Sequence, residues 1–158
     1  MRKIILILDN IRSVHNVGSI FRTAECAGVN EIALCGVTPG PKDRFNREVK
    51  AFTKVSLGAE KNIQITKFET TMKAVSSYKK EGYTVIALEQ DKNSASFKEI
   101  KKLAGKHDVV IVLGEETEGL DKRILNKCDY VVEIPIFGEK ESLNVSVACG
   151  IALFELVG

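Results

Sequence analysis

Apolar runs alternate with helically spaced apolar positions along most of this chain. The runs predict strands near residues 3–8, 31–35, 63–67, 83–88, 108–113 and 130–134. Three- and four-residue spacing predicts helices near residues 17–27, 69–81, 121–127 and 143–156. This alternation is typical of an α/β protein with a mostly parallel sheet and helices on both faces. The 158 residues fit one domain, 1–158.

Local chemistry marks two helix ends. The first helix should stop at Ala27, because Gly28 tolerates the left-handed conformation that ends a helix. The last helix should begin near Ser142, whose hydroxyl suits an N-cap, with Pro135 and Gly138 in the loop before it.

Charge and composition narrow the functional classes only slightly. The net charge of +2 does not by itself indicate a nucleic-acid binder. Positive charge nevertheless clusters in the two least patterned segments, 36–60 and 89–107. Either segment is a solvated face or a track for an RNA backbone. The basic residues are Lys42, Arg44, Arg47, Lys50 and Lys54 in the first, and Lys98, Lys101, Lys102 and Lys106 in the second.

The cysteines, Cys26, Cys35, Cys128 and Cys149, are widely spaced and lack a C-x-x-C pair. We therefore expect reduced thiols in or near the core and no metal site. The N-terminal apolar run is too short for a signal peptide, and no run has the length of a membrane span. A cytoplasmic protein is the expectation.

Residues 13–29, SVHNVGSIFRTAECAGV, form the first segment that could carry chemistry. Val17, Phe21, Ala24 and Gly28 fall on one helical stripe and predict a core face. Arg22 should lie over the turn of Gly18, where exposed backbone and a guanidinium would receive a phosphate. A surface pair of Arg22 with Glu25 is the alternative. His15 is more typical of a turn residue than of a catalyst.

Residues 112–120, VLGEETEGL, follow a buried strand as a phosphate-binding loop would, yet they carry Glu115, Glu116 and Glu118. The loop lacks both the lysine of a P-loop and the G-x-G-x-x-G spacing. Its carboxylates favour a neutral or cationic ligand. An acidic, solvent-facing turn before the next helix is the alternative.

Residues 134–156 end in a helix that is apolar almost all round from Leu143 onward. Such a helix has to be covered on every side. A homodimer seam, with Ala148, Cys149, Gly150 and Ala152 allowing close approach, is one solution. A central core helix within one chain is the other.

Together these segments resemble the three signature motifs of the SpoU/TrmH class of SPOUT RNA methyltransferases. HNVGSIFRTAECAGV (15–29) is similar to motif one, VLGEETEGL (112–120) to motif two and IPIFGEKESLNVSVACGIALFE (134–155) to motif three. The resemblance implies transfer of a methyl group from S-adenosylmethionine (AdoMet) to a ribose 2′-hydroxyl of tRNA or rRNA. It also implies a deep C-terminal trefoil knot and a homodimer formed through the first and last helices.

The resemblance further implies a set of site residues. Catalytic positions fall on Asn16, Arg22, Glu116, Ser142 and Asn144. AdoMet-binding positions fall on Leu113, Gly114, Ile134, Ile136 and Leu143. The chain is expected to be a minimal form without the N-terminal extension of many members. Glu115 departs from the family, which commonly has Asn there.

The role of Arg22 stays open between two forms. The arginine at this position of the family is often described as the base that removes the 2′-OH proton, yet a guanidinium is a poor base. The alternative is that Arg22 holds the substrate phosphate and polarises the 2′-oxygen, which does not require the guanidinium to lose its proton. Either role could be played within one chain or across the dimer. The rival functions are a catalytically silent RNA-binding protein on the same scaffold and a doubly wound nucleotide-binding or signalling domain. The acidic turn, and the lack of an acidic cluster beyond Asp9 at strand one, disfavour the latter.

Overall fold

Every strand predicted from an apolar run is present, with its ends displaced by at most one residue. The computed structural model describes residues 1–158. Its strands are β1 (Ile4–Asp9), β2 (Glu31–Cys35), β3 (Gln64–Phe68), β4 (Thr84–Leu88), β5 (Ala95–Ser96), β6 (Val109–Gly114) and β7 (Tyr130–Glu133). They form one sheet in the order β3-β2-β1-β6-β4-β7-β5. Every strand pair is parallel.

Helices cover both faces of the sheet, as predicted. They are α1 (Val14–Cys26), α2 (Lys50–Ser56), α3 (Thr71–Lys80), α4 (Ile100–Ala104), α5 (Lys122–Lys127) and α6 (Val145–Val157). Helices α1, α2, α4 and α6 contribute to one apolar cluster, which includes Leu6, Leu8 and Ile111 of the central strands. Helices α3 and α5 pack on the opposite face, over Ile5, Ile7 and Val110.

Three elements, α2, α4 and β5, were not predicted from the sequence. Both helices are short and begin without a side-chain cap, so neither a start signal nor a full period of apolar positions marks them. Helix α1 also begins earlier than predicted, because Ser13 Oγ accepts the amide hydrogen of Asn16 at 3.1 Å.

The predicted start of the last helix at Ser142 is wrong by two residues. Asn144 is the N-cap, and its Oδ1 accepts the amide hydrogen of Ser146 at 2.9 Å. The predicted end of α1 is confirmed, since helix geometry ends at Ala27 and Gly28 has a φ of +77°. The core face of α1 is confirmed for Val17, Phe21 and Ala24, which are fully buried. It is wrong for Gly28, which is exposed because it lies beyond the end of the helix.

The helices that follow the two central strands lie on opposite faces of the sheet. β1 and β6 are neighbours, but the helix after β1 lies on one face and the helix after β6 lies on the other. In open α/β sheets such a reversal opens a cleft at the carboxyl ends of the strands, where ligands bind. None of the helices has the length and hydropathy needed to cross a membrane. The trefoil knot stays a prediction from the resemblance.

Candidate active site

A pocket of about 550 Å³ opens at the carboxyl ends of β4, β6 and β7. Its volume falls within the range of small-molecule sites. All the residues predicted to bind a cofactor line it, namely Leu113, Gly114, Ile134, Ile136 and Leu143. The loop after β6 (residues 114–120) forms one wall and the segment before α6 (residues 134–144) forms another.

Glu115 holds the loop after β6 in shape. Its carboxylate accepts the amide hydrogens of Thr117 and, at 3.0 Å, of Glu118. Its carbonyl accepts the amide hydrogen of Gly119 at 2.9 Å, which closes the turn. Gly114 is required at the start, because a Cβ there would lie 2.9 Å from the carbonyl carbon of Gly119. Glu115 thus serves the conformation of the loop.

Three of the predicted catalytic residues, one from each motif, are joined by hydrogen bonds at the mouth of the pocket. Asn16 Nδ2 donates to Glu116 Oε1 at 2.7 Å, and Asn144 Nδ2 donates to Asn16 Oδ1 at 3.1 Å. Glu116 Oε1 also accepts the amide hydrogen of Val145 at 3.5 Å. Residues up to 128 positions apart therefore share one chain of hydrogen bonds at the starts of α1 and α6.

The remaining two predicted catalytic residues are placed differently. Ser142 lines the pocket and is exposed. Arg22 is also exposed, but it lies six residues beyond Asn16 on α1, about 9 Å further along the helix. It does not line the pocket and takes part in none of the four ion pairs, so the alternative pair with Glu25 is not formed. Arg22 therefore does not join the cluster within one chain.

The predicted phosphate site at Gly18 is wrong. Helix α1 begins at Val14, so Gly18 lies inside the helix and not at its positive end. Gly18 is buried, and a Cβ there would lie 3.0 Å from the carbonyl oxygen of Phe52 and 3.2 Å from Cβ of Val55. The missing side chain lets α2 approach α1 closely. An edge-to-face contact of Phe21 with Phe52, with ring centroids 5.1 Å apart, seals the same junction.

The pocket is strongly acidic. Six glutamates line it and no lysine, arginine or histidine does; they are Glu89, Glu115, Glu116, Glu118, Glu133 and Glu141. The pKa of Glu115 is lowered by hydrogen bonds from the side chain and amide of Thr117 and from the amide of Glu118. That carboxylate is therefore charged at neutral pH. The site suits a ligand with positive charge and would repel a phosphate.

The residues after β4 also contribute to the site, which was not predicted from the sequence. Glu89 follows β4 directly, and its carboxylate accepts the amide hydrogens of Leu120 at 2.9 Å and Gln90 at 3.0 Å. The residues after β4 form a third wall of the pocket. Gln90 Nε2 donates to the carbonyl of Glu141 at 3.1 Å, which connects this wall to the segment before α6. The polar pair Glu89-Gln90, directly after a buried strand, was the signal in the sequence that could have indicated this contribution. The pair reaches the site because β4 ends beside β6 at the same edge of the sheet.

Asp9 is a buried carboxylate at the end of β1. It is 7% exposed, and its Oδ1 accepts a hydrogen bond from the hydroxyl of Thr71. Burial is the main cause that raises its pKa, and Asp121 and Glu115 add to the effect. The Asp9 carboxylate is thus buried and bonded to Thr71, so it does not form part of a solvent-accessible acidic cluster at the end of β1.

The cysteines are free and differ in their exposure. Cys35 and Cys149 are buried and Cys128 is partly buried, whereas Cys26 is exposed, so the predicted core position is wrong for Cys26. Burial raises the pKa of Cys149 to about 12, which keeps that thiol protonated at neutral pH.

Helix α6 leaves one apolar stripe in solvent. Val147, Phe154 and Val157 are 50%, 51% and 41% exposed. Of the small residues predicted for a dimer seam, Cys149 and Ala152 are buried within the chain, whereas Ala148 and Gly150 are partly exposed. A Cβ at Gly150 would lie 3.4 Å from Cγ2 of Thr23 of α1. The alternative of a fully covered core helix is therefore wrong, and Cys149 and Ala152 are not available to a seam. The homodimer itself stays a prediction.

Comparisons with known proteins agree with this geometry. Residues 3–154 match the SpoU rRNA Methylase family. The chain belongs to the SpoU methylase family. A Staphylococcus haemolyticus protein assigned to the TrmH family of tRNA/rRNA methyltransferases is 31% identical over 152 residues, 96% of this chain and 57% of the relative. The chain thus spans a little over half the length of this SpoU relative.

Solved structures of SpoU proteins share the fold. The TrmH/SpoU tRNA modifying enzyme of A. aeolicus superimposes with a TM-score of 0.81 at 27% identity, covering 99% of this chain and 74% of that one. The AdoMet-bound rRNA methyltransferase of Sinorhizobium meliloti gives a TM-score of 0.85 at 28% identity, covering 98% of this chain and 55% of that one. The resemblance in the three motifs is therefore confirmed at the level of family and fold.

Proposed function

We propose that this protein transfers the methyl group of AdoMet to a ribose 2′-hydroxyl of tRNA or rRNA. The observation that carries the proposal is the hydrogen-bonded chain of Asn16, Glu116 and Asn144 at the mouth of an acidic pocket. Each of these side chains comes from a different motif of the SpoU family. The AdoMet-bound relative from Sinorhizobium meliloti supports the choice of cofactor.

The lining of the pocket fits AdoMet on chemical grounds. The sulfonium and the α-ammonium of AdoMet are cations, and the glutamates of the pocket attract both. Leu113, Ile134 and Ile136 offer apolar surface for the adenine ring. When bound, AdoMet supplies an electrophilic methyl group. We assign Leu113, Gly114, Ile134, Ile136 and Leu143 to holding it.

The polar chain is proposed to position the ribose. Methyl transfer is an in-line displacement, so the protein gains most by aligning the reacting oxygen. Asn16 and Asn144 are fixed by their mutual hydrogen bond, and Glu116 is fixed by Asn16 and the amide of Val145. Ser142 stands beside them at the rim. Groups held in this way lose little freedom when substrate binds.

Arg22 is proposed to act across a homodimer. Within one chain it lies away from the pocket on the exposed side of α1, which packs against α6. The stripe of Val147, Phe154 and Val157 on α6 needs a cover, and a second copy of the same helices provides one. A dimer through α1 and α6 then brings Arg22 towards the partner's site, where its guanidinium holds the RNA phosphate beside the reacting hydroxyl.

Two measurements separate this function from its rivals. Calorimetry with AdoMet excludes a nucleotide-binding or signalling domain if the cofactor binds, and the buried Asp9 already argues against such a domain. Incorporation of labelled methyl groups into RNA from cells that lack the gene then separates an enzyme from a silent RNA-binding protein. Asn16→Ala should abolish incorporation, whereas His15→Ala, the exposed neighbour, should retain it.

The shared site has its own test. Phe154→Asp should convert the dimer to monomers in sedimentation and abolish methyl transfer, because a carboxylate cannot be buried in the seam. Mixing Arg22→Ala subunits with Asn16→Ala subunits should restore activity, since one of the two sites in a mixed dimer is then intact. No recovery in a mixed dimer would mean that each site is self-contained.

A further inference from the structure

The loop between β2 and α2 presents an aromatic side chain in solvent. Phe45 is 63% exposed at the tip of residues 42–48. The guanidinium carbon of Arg44 lies 4.8 Å from the centre of its ring and that of Arg47 lies 4.9 Å away. Both distances are within the range of a cation–π contact. We define residues 44–47 as the aromatic tip.

A network of hydrogen bonds gives the aromatic tip a fixed shape. Asp43 Oδ1 accepts the amide hydrogens of Phe45 at 2.9 Å and Arg47 at 3.0 Å. Asp43 Oδ2 pairs with Nε of Arg47 at 3.0 Å, and the amide of Asp43 donates to the carbonyl of Arg47 at 2.9 Å. An isolated antiparallel β-bridge between Lys42 and Glu48 closes the base of this loop. Phe45 is therefore held outward by an ordered loop.

The two arginines are not equivalent. Arg47 is tied to Asp43, which fixes its direction. Arg44 is exposed and belongs to none of the four ion pairs of the structure, so it is available to an added anion. Lys42 and Lys50 add exposed positive charge on either side of the tip. The surface thus combines one π face with several cations.

The loop that carries the aromatic tip leaves the sheet at the carboxyl end of β2, the same edge at which the pocket opens. Thr38, at the start of the loop, donates to the carbonyl of Leu8 at 3.0 Å and accepts the amide hydrogen of Ile11 at 3.1 Å. It thereby fixes the loop to the chain that leads into α1 and Asn16. β2 is two strands from β6, whose following loop lines the pocket.

We propose that the aromatic tip is a stacking platform for an unpaired base of the RNA near the methylated nucleotide. This inference rests on the proposed function for its ligand. Phe45 offers its face to the base, Arg47 supports the ring from its fixed position and Arg44 moves from the ring to a flanking phosphate. An exposed aromatic among cations is the arrangement that binds single-stranded nucleic acid, because every base has a π face.

The test compares variants of one exposed side chain on two RNA probes. Phe45→Leu keeps an apolar side chain without a π face, and Phe45→Tyr restores the face. Affinities are measured for a mixed-sequence single strand of about 12 nucleotides and for an oligomer of the same length built from stable abasic residues. Bulk tRNA serves as a structured probe.

We expect Phe45→Leu to weaken binding of the base-containing strand about tenfold and to leave binding of the abasic strand unchanged, whereas Phe45→Tyr binds both like the wild type. Arg44→Ala should instead weaken both strands and reduce the salt dependence by about one phosphate contact. Unchanged affinity of Phe45→Leu on the single strand and on tRNA would overturn the proposal, as would a wild-type protein that binds neither.

Two parallel measurements separate this inference from the proposed function. Wild-type methyl incorporation into RNA tests the function alone, so an active enzyme with a neutral Phe45→Leu substitution refutes only the platform. Sedimentation of Phe45→Leu tests whether the aromatic tip instead contacts another copy of the chain. A change in oligomeric state would contradict the proposed role in RNA binding.

Discussion

The loop after β6 and the loop after β2 are both held in shape by a carboxylate that accepts backbone amide hydrogens, but they present side chains of opposite charge. In each, one carboxylate accepts amide hydrogens two and three or four residues ahead: Glu115 from Thr117 and Glu118, and Asp43 from Phe45 and Arg47. The first loop then presents carboxylates to a pocket, and the second presents guanidiniums and an aromatic ring to solvent. The side-chain cap therefore fixes the conformation of each loop, whereas the neighbouring side chains determine which kind of ligand the loop can bind.

The largest expected effect separates the chemistry of the two loops. Glu116→Ala removes the acceptor of both Asn16 and the amide of Val145, so it should lower the rate of methyl transfer about 100-fold, as loss of a positioning hydrogen bond in an active site does. RNA affinity should not change. Single-turnover kinetics with saturating RNA measures this. The control is Glu81→Ala, which removes an exposed carboxylate that does not line the pocket and accepts no hydrogen bond in the structure, and which should transfer methyl groups at the wild-type rate.

A smaller effect should follow from releasing each turn in isolation. Asp43→Ala should weaken RNA binding several-fold without affecting AdoMet, and Glu115→Ala should weaken AdoMet binding several-fold without affecting RNA. A side-chain cap of this kind contributes about 1 kcal/mol. Calorimetry with AdoMet and filter binding with tRNA give the four values. If Asp43→Ala weakened AdoMet binding, or Glu115→Ala weakened RNA binding, the assignment of separate ligands to the two loops would be refuted.

Glu115→Asn provides the matched control for the acidic loop. The shorter amide still has an oxygen that can accept an amide hydrogen two residues ahead, and Asn is the residue that the family commonly has at this position. We expect its AdoMet affinity to lie near that of the wild type and well above that of Glu115→Ala. Equal losses in both variants would mean that the charge of Glu115, and not its hydrogen bonds, is what the pocket uses.

The smallest effect concerns acid pH, where both loops should respond in the same direction. Hydrogen bonds lower the pKa of Glu115 below its ordinary 4.5, first through Thr117, and that of Asp43 below 3.8, first through Arg47. A lowered pKa means that each carboxylate stabilises its loop above the ordinary value and loses that effect as the pH falls through the lowered one. Carboxyl-carbon NMR titration should place both midpoints below the ordinary values; a midpoint at or above them would contradict the capped turns.

The parts of the molecule that were predictable from sequence are those encoded locally. Buried parallel strands have continuous apolar runs, and the end of α1 has Gly28, so these features were found. The pocket residues Leu113 and Ile134 came from motif likeness and line the pocket of the structure. Local signals sufficed because one element carries each feature.

The features that failed depend on which elements meet. Gly18 resembles an open anion site in sequence, but α2, which no start signal marks, fills the space beside it. Arg22 does not line the pocket of its own chain, and its catalytic role stays a prediction that depends on a second copy of the chain. Glu89 joins the site only because β4 pairs with β6, and the order of strands in a sheet cannot be read from one strand.

The central claim is methylation of a ribose hydroxyl, and mapping 2′-O-methyl groups by resistance to alkaline cleavage tests it most directly. RNA is compared from cells with the gene, without it, and complemented with wild type, His15→Ala or Asn16→Ala. We predict a nucleotide in tRNA or rRNA that resists alkali only in cells with the wild-type or His15→Ala protein. A map that is identical with and without the gene would contradict the account.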